Sequence, residues 1–201
     1  MSNVEQFKKN GYVKIKLIDD ELLAYLKTAL DAHRELQYRA NNMKWFSSEE
    51  KDLFAFNDDQ ISKSFSAYAV PMFETLLLTL QSKFEEATGR KLSPCYTYSR
   101  IYYHGAEMAA HKDRPSCEFS STINIFGGEQ WPIYITGYTG ETSEVILEPG
   151  YGIVYNGTEC EHWRLENPDG EVYQTFLHYV NSEGPYKDYI FDKRPFLYHI
   201  K

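Results

Sequence analysis

The sequence is poor in cysteine, with three such residues in 201 and no CxxC pair among them. Cys95, Cys117 and Cys160 are widely spaced and odd in number. This pattern argues against a disulfide framework and against a cysteine-rich zinc site. It favours reduced thiols, and the expected location is therefore cytoplasmic.

Long hydrophobic runs are also missing. No stretch reaches the roughly 20 apolar residues of a membrane-spanning helix, and the first residues lack the apolar core of an export signal. Basic residues (21) are outnumbered by acidic ones (29), which gives a formal net charge of −8. We therefore expect neither a membrane nor a nucleic acid as partner, and the oligomeric state stays open.

Aromatic side chains, by contrast, make up 16% of the chain. The length suits one α+β domain over residues 1–201. We predict a mainly helical part over residues 1–93, a jelly-roll-like double sheet over 94–182 and a C-terminal extension over 183–201. The sheet prediction depends on short β-rich runs separated by Gly, Pro, Asn and Glu. These runs cover residues 96–103, 119–126, 131–138, 144–147, 152–155 and 172–180.

The N-terminal part shows two kinds of periodicity. Alternation with a period of two predicts a strand within residues 6–17. Apolar residues at spacings of three and four predict a helix of about 20 residues after Asp20 and a second helix over residues 66–88. Residues 40–60 are predicted to be irregular, with one short helix near residues 47–50.

The chemistry of the chain is concentrated in His111, Asp113 and the distant His162. In an extended strand, residues two apart point to the same side, so His111 and Asp113 can both reach one ion. Two imidazoles and one carboxylate leave positions open, which suits Fe(II) that handles oxygen and a chelating co-substrate. A structural or zinc role is the alternative for these three residues.

The surrounding motifs resemble those of the 2-oxoglutarate- and Fe(II)-dependent dioxygenase superfamily, on its prolyl-hydroxylase-like branch. The segment from Tyr102 to Asp113 resembles the Y-x-x-G-x5-H-x-D segment of that family. The turn at residues 147–150 resembles its L-x-P-G-D turn, with Tyr151 in place of the usual Asp. His162 then stands as the distal histidine. The resemblance covers residues 94–182.

The resemblance implies a double-stranded β-helix with N-terminal helices packed on it. It also implies that His111, Asp113 and His162 bind Fe(II), with 2-oxoglutarate as co-substrate and O2 as oxidant. The implied reaction hydroxylates an unidentified small-molecule or peptidyl substrate and releases succinate and CO2. Because Asp113 occupies its ligand position, halogenation is disfavoured, whereas oxidative demethylation stays open.

One departure from the family pattern concerns the cation that binds the far carboxylate of 2-oxoglutarate. The usual window after the distal histidine, here residues 171–174, contains no Lys or Arg. Arg164 is the first candidate because it lies two residues after His162 and faces the same side. Arg100 is the second candidate, and Tyr102 matches a family tyrosine that donates to the co-substrate.

A cupin-like metal-binding barrel with an isomerase or non-catalytic binding role is the leading alternative to an oxygenase. His178 alternates in phase with Gln174 and Phe176, so it can line the same cavity, but we expect it to be a core imidazole with satisfied hydrogen bonds.

Overall fold

The computed structural model describes residues 1–43, 54–168 and 170–199. Its α-helices are α1 (Asn3–Asn10), α2 (Asp20–Met43) and α3 (Pro71–Thr88). Its strands are β1 (Tyr12–Lys16), β2 (Phe54–Phe56), β3 (Ser64–Tyr68), β4 (Leu92–Tyr102), β5 (Met108–His111), β6 (Phe119–Phe126), β7 (Ile133–Thr136), β8 (Thr142–Val145), β9 (Tyr151–Asn156), β10 (Glu161–Arg164) and β11 (Val172–Asn181). Short 3₁₀ segments cover Pro115–Cys117 and Lys187–Lys193. Across these described residues, no helix combines the length and apolarity needed to cross a membrane.

The strands form two antiparallel sheets. The major sheet has the order β1-β9-β6-β11-β4-β3-β2, and the minor sheet has the order β5-β10-β7-β8. From β1 to β4 in this order, neighbouring strands are not consecutive in the chain, as in a jelly roll, whereas β4, β3 and β2 follow one another. The predicted α+β class with a double-stranded β-helix core is confirmed.

The N-terminal part supplies strands as well as helices to this architecture. β1 pairs with β9 and β3 pairs with β4, so the major sheet extends beyond the predicted core range. The strand predicted within residues 6–17 is wrong in its first half, which belongs to α1. Ser2 and Glu5 form a capping box at the start of α1, and Gly11 ends it with φ 80°. The eight-residue helix buries only Phe7, so its apolar periodicity is weak.

The helical pattern over residues 66–88 begins before the helix itself, whose regular part we expect near Pro71 because proline fits a first turn. Residues Ser64–Tyr68 form β3, in which Ser66 pairs with Arg100 of β4. α3 starts at Pro71, where a missing backbone N–H is harmless in a first turn. Sheet pairing with a distant strand therefore outweighs a helical pattern at this point.

The segment predicted to be irregular, residues 40–60, is ordered at both described ends. α2 continues to Met43, and Phe54–Phe56 forms β2, which pairs with β3. The prediction of irregular structure is wrong at these ends. The short helix expected near residues 47–50 lies outside the described residues.

Alternation along β4 and β11 separates the helical core from an internal cavity. Ile101, Leu177 and Tyr179 point towards α3, where Tyr179 donates a hydrogen bond of 2.6 Å to the carbonyl oxygen of Leu77. The side chains between them, such as Arg100, line the cavity on the opposite face. The helices thus support the sheet from one side and leave the other side available for a site.

Candidate active site

The three predicted metal ligands meet at the edge where β5 and β10 pair. His162 lies directly opposite His111 in this pairing, and their ring centroids are 4.4 Å apart. Asp113 follows β5 and is fixed by its backbone N–H, which donates to the carbonyl oxygen of Gly157 at 2.8 Å. Asp113 Oδ1 lies 3.6 Å from His111 Nε2 and 3.7 Å from His162 Nε2. One ligand atom from each of the three residues falls within 4.8 Å of the others.

Both imidazoles are held in the tautomer that a metal ligand requires. His111 Nδ1 lies 2.9 Å from the carbonyl oxygen of Ala109, and His162 Nδ1 lies 3.0 Å from that of Cys160. A carbonyl oxygen only accepts, so each Nδ1 carries a proton, and Nε2 is the nitrogen that can bind a metal ion once it is deprotonated. Backbone partners of this kind orient metal-binding histidines.

The charge state of the cluster also suits a cation. Burial would raise the pKa of Asp113, but its hydrogen bond with His111 and the nearby imidazoles hold that pKa below the usual value. Burial lowers the pKa of His162, whereas the hydrogen bond to Asp113 raises the pKa of His111. An ionised carboxylate beside a neutral His162 is the state that binds metal.

A buried carboxylate oxygen without a hydrogen-bond partner shows whether the site suits a metal ion. Asp113 Oδ2 is buried and has no hydrogen-bond partner among the described residues. Such an atom costs about 1–3 kcal/mol, and more when charged. A side chain at Gly157 would collide with the same oxygen, so the chain keeps this carboxylate closely confined. Among the described residues, no fourth His, Cys, Asp or Glu joins the group. The donor set therefore fits an open-shell metal site better than a closed structural one.

Arg164 lies further along β10 and is 3% exposed. Its Nη1 donates to the carbonyl oxygen of Trp131 at 2.7 Å, and its guanidinium lies 4.6 Å from the centroid of the Trp131 indole ring. Nη2 lies 3.4 Å from Gln174 Oε1. Among the described residues, no carboxylate forms an ion pair with it. Burial lowers the pKa of Arg164 to about 10, so it is still cationic at neutral pH.

Arg100 is equally buried but differs in its partners. Its Nη2 donates to Asp58 Oδ2 at 2.5 Å, and the Tyr98 hydroxyl donates to the same oxygen at 2.8 Å. Burial would lower the pKa of Arg100, but Tyr102, Tyr98 and Asp58 together raise it above its usual value. This cation is therefore neutralised within the protein.

A cavity of about 590 Å³ connects these groups. It is of the size typical of small-molecule sites. Tyr102 lines it and packs edge-on against Trp131, with ring centroids 4.9 Å apart. All of the site residues expected from the sequence line it, namely His111, Asp113, His162, Tyr102, Arg164 and Arg100.

Sequence reasoning missed several residues of this cavity. Asp58 was missed because it lies in a segment without periodicity, 42 residues before its partner Arg100. His178 combines the two positions that the sequence allows, because it is buried and hydrogen-bonded to Ser120 and it also lines the cavity. Gln174 was noted only as a non-basic residue, although the same alternation places it facing Arg164.

Comparison with solved structures identifies the architecture. A prolyl-4-hydroxylase from Pseudomonas putida is 14% identical over 89% of this chain and 97% of its own, with a TM-score of 0.59. The 2-oxoglutarate-dependent carbocyclase SnoK of nogalamycin biosynthesis is 10% identical, covers 90% and 85%, and has a TM-score of 0.67. HygX from Streptomyces hygroscopicus, solved with nickel, 2-oxoglutarate and hygromycin B, is 11% identical, covers 90% and 87%, and has a TM-score of 0.65.

The chain has the fold of the 2-oxoglutarate- and Fe(II)-dependent oxygenases. The sequence itself matches no protein-family profile and no curated protein. At identities of 10–14%, these likenesses establish the fold. The chemistry must be argued from the site.

Proposed function

We propose that this chain is a non-haem Fe(II)- and 2-oxoglutarate-dependent dioxygenase that hydroxylates an organic substrate. The observation that carries the proposal is the pairing of an open His-Asp-His group with a buried, unpaired arginine in one cavity. The first accounts for a redox metal, and the second for a dianionic co-substrate. Similar structures that hold a metal ion and 2-oxoglutarate support the combination.

In this proposal His111, Asp113 and His162 hold the metal ion. Fe(II) bound there would supply the oxygen chemistry, in which 2-oxoglutarate is oxidised to succinate and CO2 while the substrate is oxidised. The protein groups position the co-substrate and the substrate, and they exclude water. The backbone carbonyls of Ala109 and Cys160 hold the two imidazoles in place, and Ile133 and Met108 contribute apolar lining to the cavity.

Arg164 is the proposed anchor for the far carboxylate of 2-oxoglutarate, with Tyr102 as a neighbouring hydroxyl donor. A buried guanidinium without a carboxylate partner is costly, and an anionic ligand offsets that cost. Arg100 is less suited to this role because Asp58 already neutralises it. The second sequence candidate is therefore proposed only as part of the cavity wall.

Gln174 explains how the cation can lie on a different strand from the usual one. It lies on β11 in the window where the family carries a basic residue, and its Oε1 accepts from Thr122 Oγ1 at 2.7 Å. Its Nε2 lies 3.4 Å from Asn124 Oδ1, which fixes the amide so that Oε1 faces Arg164. We infer that the positive charge has moved from β11 to β10, with Gln174 as its positioning residue.

The outcome at the substrate is the finer part of the proposal. Proteins of this fold include an epimerase and a carbocyclase as well as prolyl hydroxylases. Hydroxylation is proposed because Asp113 fills its ligand position and the prolyl-hydroxylase-like motif leads to it. A product heavier than the added substrate by one oxygen atom supports hydroxylation. An unchanged mass indicates an isomerisation, and the loss of two hydrogens indicates a ring closure.

The proposal is tested by measuring succinate from 2-oxoglutarate with Fe(II) and O2, with and without a substrate panel. We expect succinate formation that requires all three components and that His111→Ala abolishes. A cupin-like barrel without oxygenase activity would bind metal, as measured by calorimetry, and would produce no succinate under any condition. That result would overturn the proposed function.

A further inference from the structure

The cavity extends beyond the His-Asp-His group along β3, β4 and β11, where aromatic rings form its wall. Tyr68 packs against Tyr96 with ring centroids 5.3 Å apart, and Tyr98 packs against Phe176 at 6.5 Å. Tyr68, Tyr98 and Phe176 are each only half-buried. We call Tyr68, Tyr96, Tyr98 and Phe176 the aromatic wall.

The hydroxyl groups of this wall are already engaged within the protein. Tyr68 donates to Asp192 Oδ2 at 2.7 Å, and Tyr98 donates to Asp58 Oδ2 at 2.8 Å. The Tyr96 hydroxyl lies 3.0 Å from Cys117 Sγ. The wall therefore offers a ligand mainly ring surface, which favours a flat apolar partner.

The two arginines on this side are paired with carboxylates. Arg100 is neutralised by Asp58, and its unpartnered Nε is buried. Arg114 binds both carboxylate oxygens of Asp192, at 2.9 and 3.1 Å. Lys112 and Asp59, two oppositely charged and exposed side chains, line the same cavity. A charged substrate would thus gain little in this part of the cavity.

Besides Arg100 Nε, a ring nitrogen of His178 has an unused hydrogen-bonding capacity on this side. His178 stacks on Tyr96, and its Nδ1 lies 2.8 Å from Ser120 Oγ. The Ser120 hydroxyl proton is donated to the carbonyl oxygen of Cys117 at 2.9 Å, so Nδ1 must donate to Ser120. Nε2 is then an acceptor, and it has no hydrogen-bond partner within the described residues. Burial lowers the pKa of His178 to about 4, which keeps the ring neutral.

We propose that the substrate is an uncharged compound with a flat ring that packs on the aromatic wall and a hydroxyl or N–H group that donates to His178 Nε2. This inference rests on the proposed function, because it assigns the substrate side of the same cavity. His178 is then a specificity-determining residue. Its acceptor selects compounds with a donor, since a buried acceptor left without one weakens binding.

The test compares three ring compounds of similar size by calorimetry. These are 2-naphthol (neutral, with a donor), 2-methoxynaphthalene (neutral, without one) and 2-naphthoate (anionic). The protein is loaded with Ni(II) and saturating 2-oxoglutarate so that the anion cannot occupy Arg164. We expect 2-naphthol to bind about tenfold more tightly than either of the other two. His178→Phe keeps a ring on Tyr96, and it should remove the preference over 2-methoxynaphthalene only.

Phe176→Ala is the matched control, and it should weaken the binding of all three compounds by a similar factor. The inference is overturned if 2-naphthoate binds as tightly as 2-naphthol, if no compound binds to protein that binds 2-oxoglutarate, or if the preference survives in His178→Phe. Should His178→Phe fail to fold, judged by its circular dichroism, His178→Leu replaces it. Titration of 2-oxoglutarate alone is performed first. Its failure counts against the proposed function, and the ranking of the three compounds still decides this inference.

Discussion

The two arginines of the cavity are buried to the same extent, and each marks a region with a different role. Arg100 and its surroundings form a closed set, in which the guanidinium and the Tyr98 hydroxyl both donate to Asp58, although Arg100 Nε has no partner among the described residues. Arg164 and the His-Asp-His group form an incomplete set, because among the described residues the guanidinium has no carboxylate partner and Asp113 Oδ2 has no hydrogen-bond partner. The closed region stabilises the fold, and the incomplete region is prepared for ligands at a cost in stability.

The largest expected effect is in the incomplete region. His162→Ala should abolish binding of Fe(II) and reduce 2-oxoglutarate decarboxylation by more than about 1,000-fold, because two ligands cannot hold the ion in an open site. His199→Ala, at an exposed position, is the control and should behave like the parent protein. Metal binding is measured by calorimetry, and succinate by mass spectrometry. Full activity in His162→Ala would refute the ligand assignment.

The second effect separates the two arginines. Arg164→Gln should raise the dissociation constant of 2-oxoglutarate by about 30- to 5,000-fold, which corresponds to losing a buried charged contact of roughly 2–5 kcal/mol. Arg100→Gln should change it by less than about fivefold, since Asp58 and not the co-substrate is its partner. The dissociation constant is measured anaerobically for both variants. If only Arg100→Gln weakens the co-substrate, the two assignments must be exchanged.

The free energy of unfolding should be lowered more by Arg100→Gln than by Arg164→Gln, which is the reverse of the order expected for 2-oxoglutarate binding. Arg100→Gln leaves the partly buried Asp58 carboxylate without its cation and should lower the free energy of unfolding by about 2–4 kcal/mol. Arg164→Gln removes a desolvated charge that has no carboxylate partner, so a loss of less than about 1 kcal/mol, or a gain, is expected. Urea unfolding of protein without ligands measures both. A larger loss for Arg164→Gln than for Arg100→Gln contradicts the division into closed and incomplete regions.

A smaller effect tests whether the cation has moved between strands. The double variant Arg164→Gln with Gln174→Lys returns the charge to β11, and it should recover at least about tenfold of the 2-oxoglutarate affinity lost in Arg164→Gln. Gln174→Lys alone is the control, and it should weaken the co-substrate because two cations would then compete for one buried position. An absence of any recovery would mean that Arg164 acts elsewhere in the cavity.

The sequence predicts the jelly-roll part well and the N-terminal part less well, for a physical reason. The predicted β-rich runs overlap β4, β6, β7, β8, β9 and β11, which have clear local signals, whereas the four-residue strands β5 and β10 were not among those runs. Residues 66–68 of β3 fall within the helical pattern because the pairing of β3 with β4 joins partners 30 to 38 residues apart, which no local pattern shows. α1 was overlooked because one buried residue, Phe7, gives too weak a period, although Ser2 and Glu5 offered a capping-box signal.

The candidate site follows the same rule. His111 and Asp113 are two residues apart on an extended chain, and Arg164 has the same relation to His162, so local geometry predicts which side chains share a face. The closed region escapes such reasoning, because Asp58 reaches Arg100 from an irregular loop. The open acceptor of His178 was equally hidden, since its availability depends on where Ser120 directs its proton.

The measurement that tests the central claim most directly is an anaerobic titration of the metal-free protein with Fe(II) and then 2-oxoglutarate, followed by visible absorption. The account predicts one Fe(II) per chain and a new charge-transfer band when 2-oxoglutarate is added. The band should be absent in His162→Ala and should require far more 2-oxoglutarate in Arg164→Gln. Fe(II) binding with no band at any 2-oxoglutarate concentration would contradict the account.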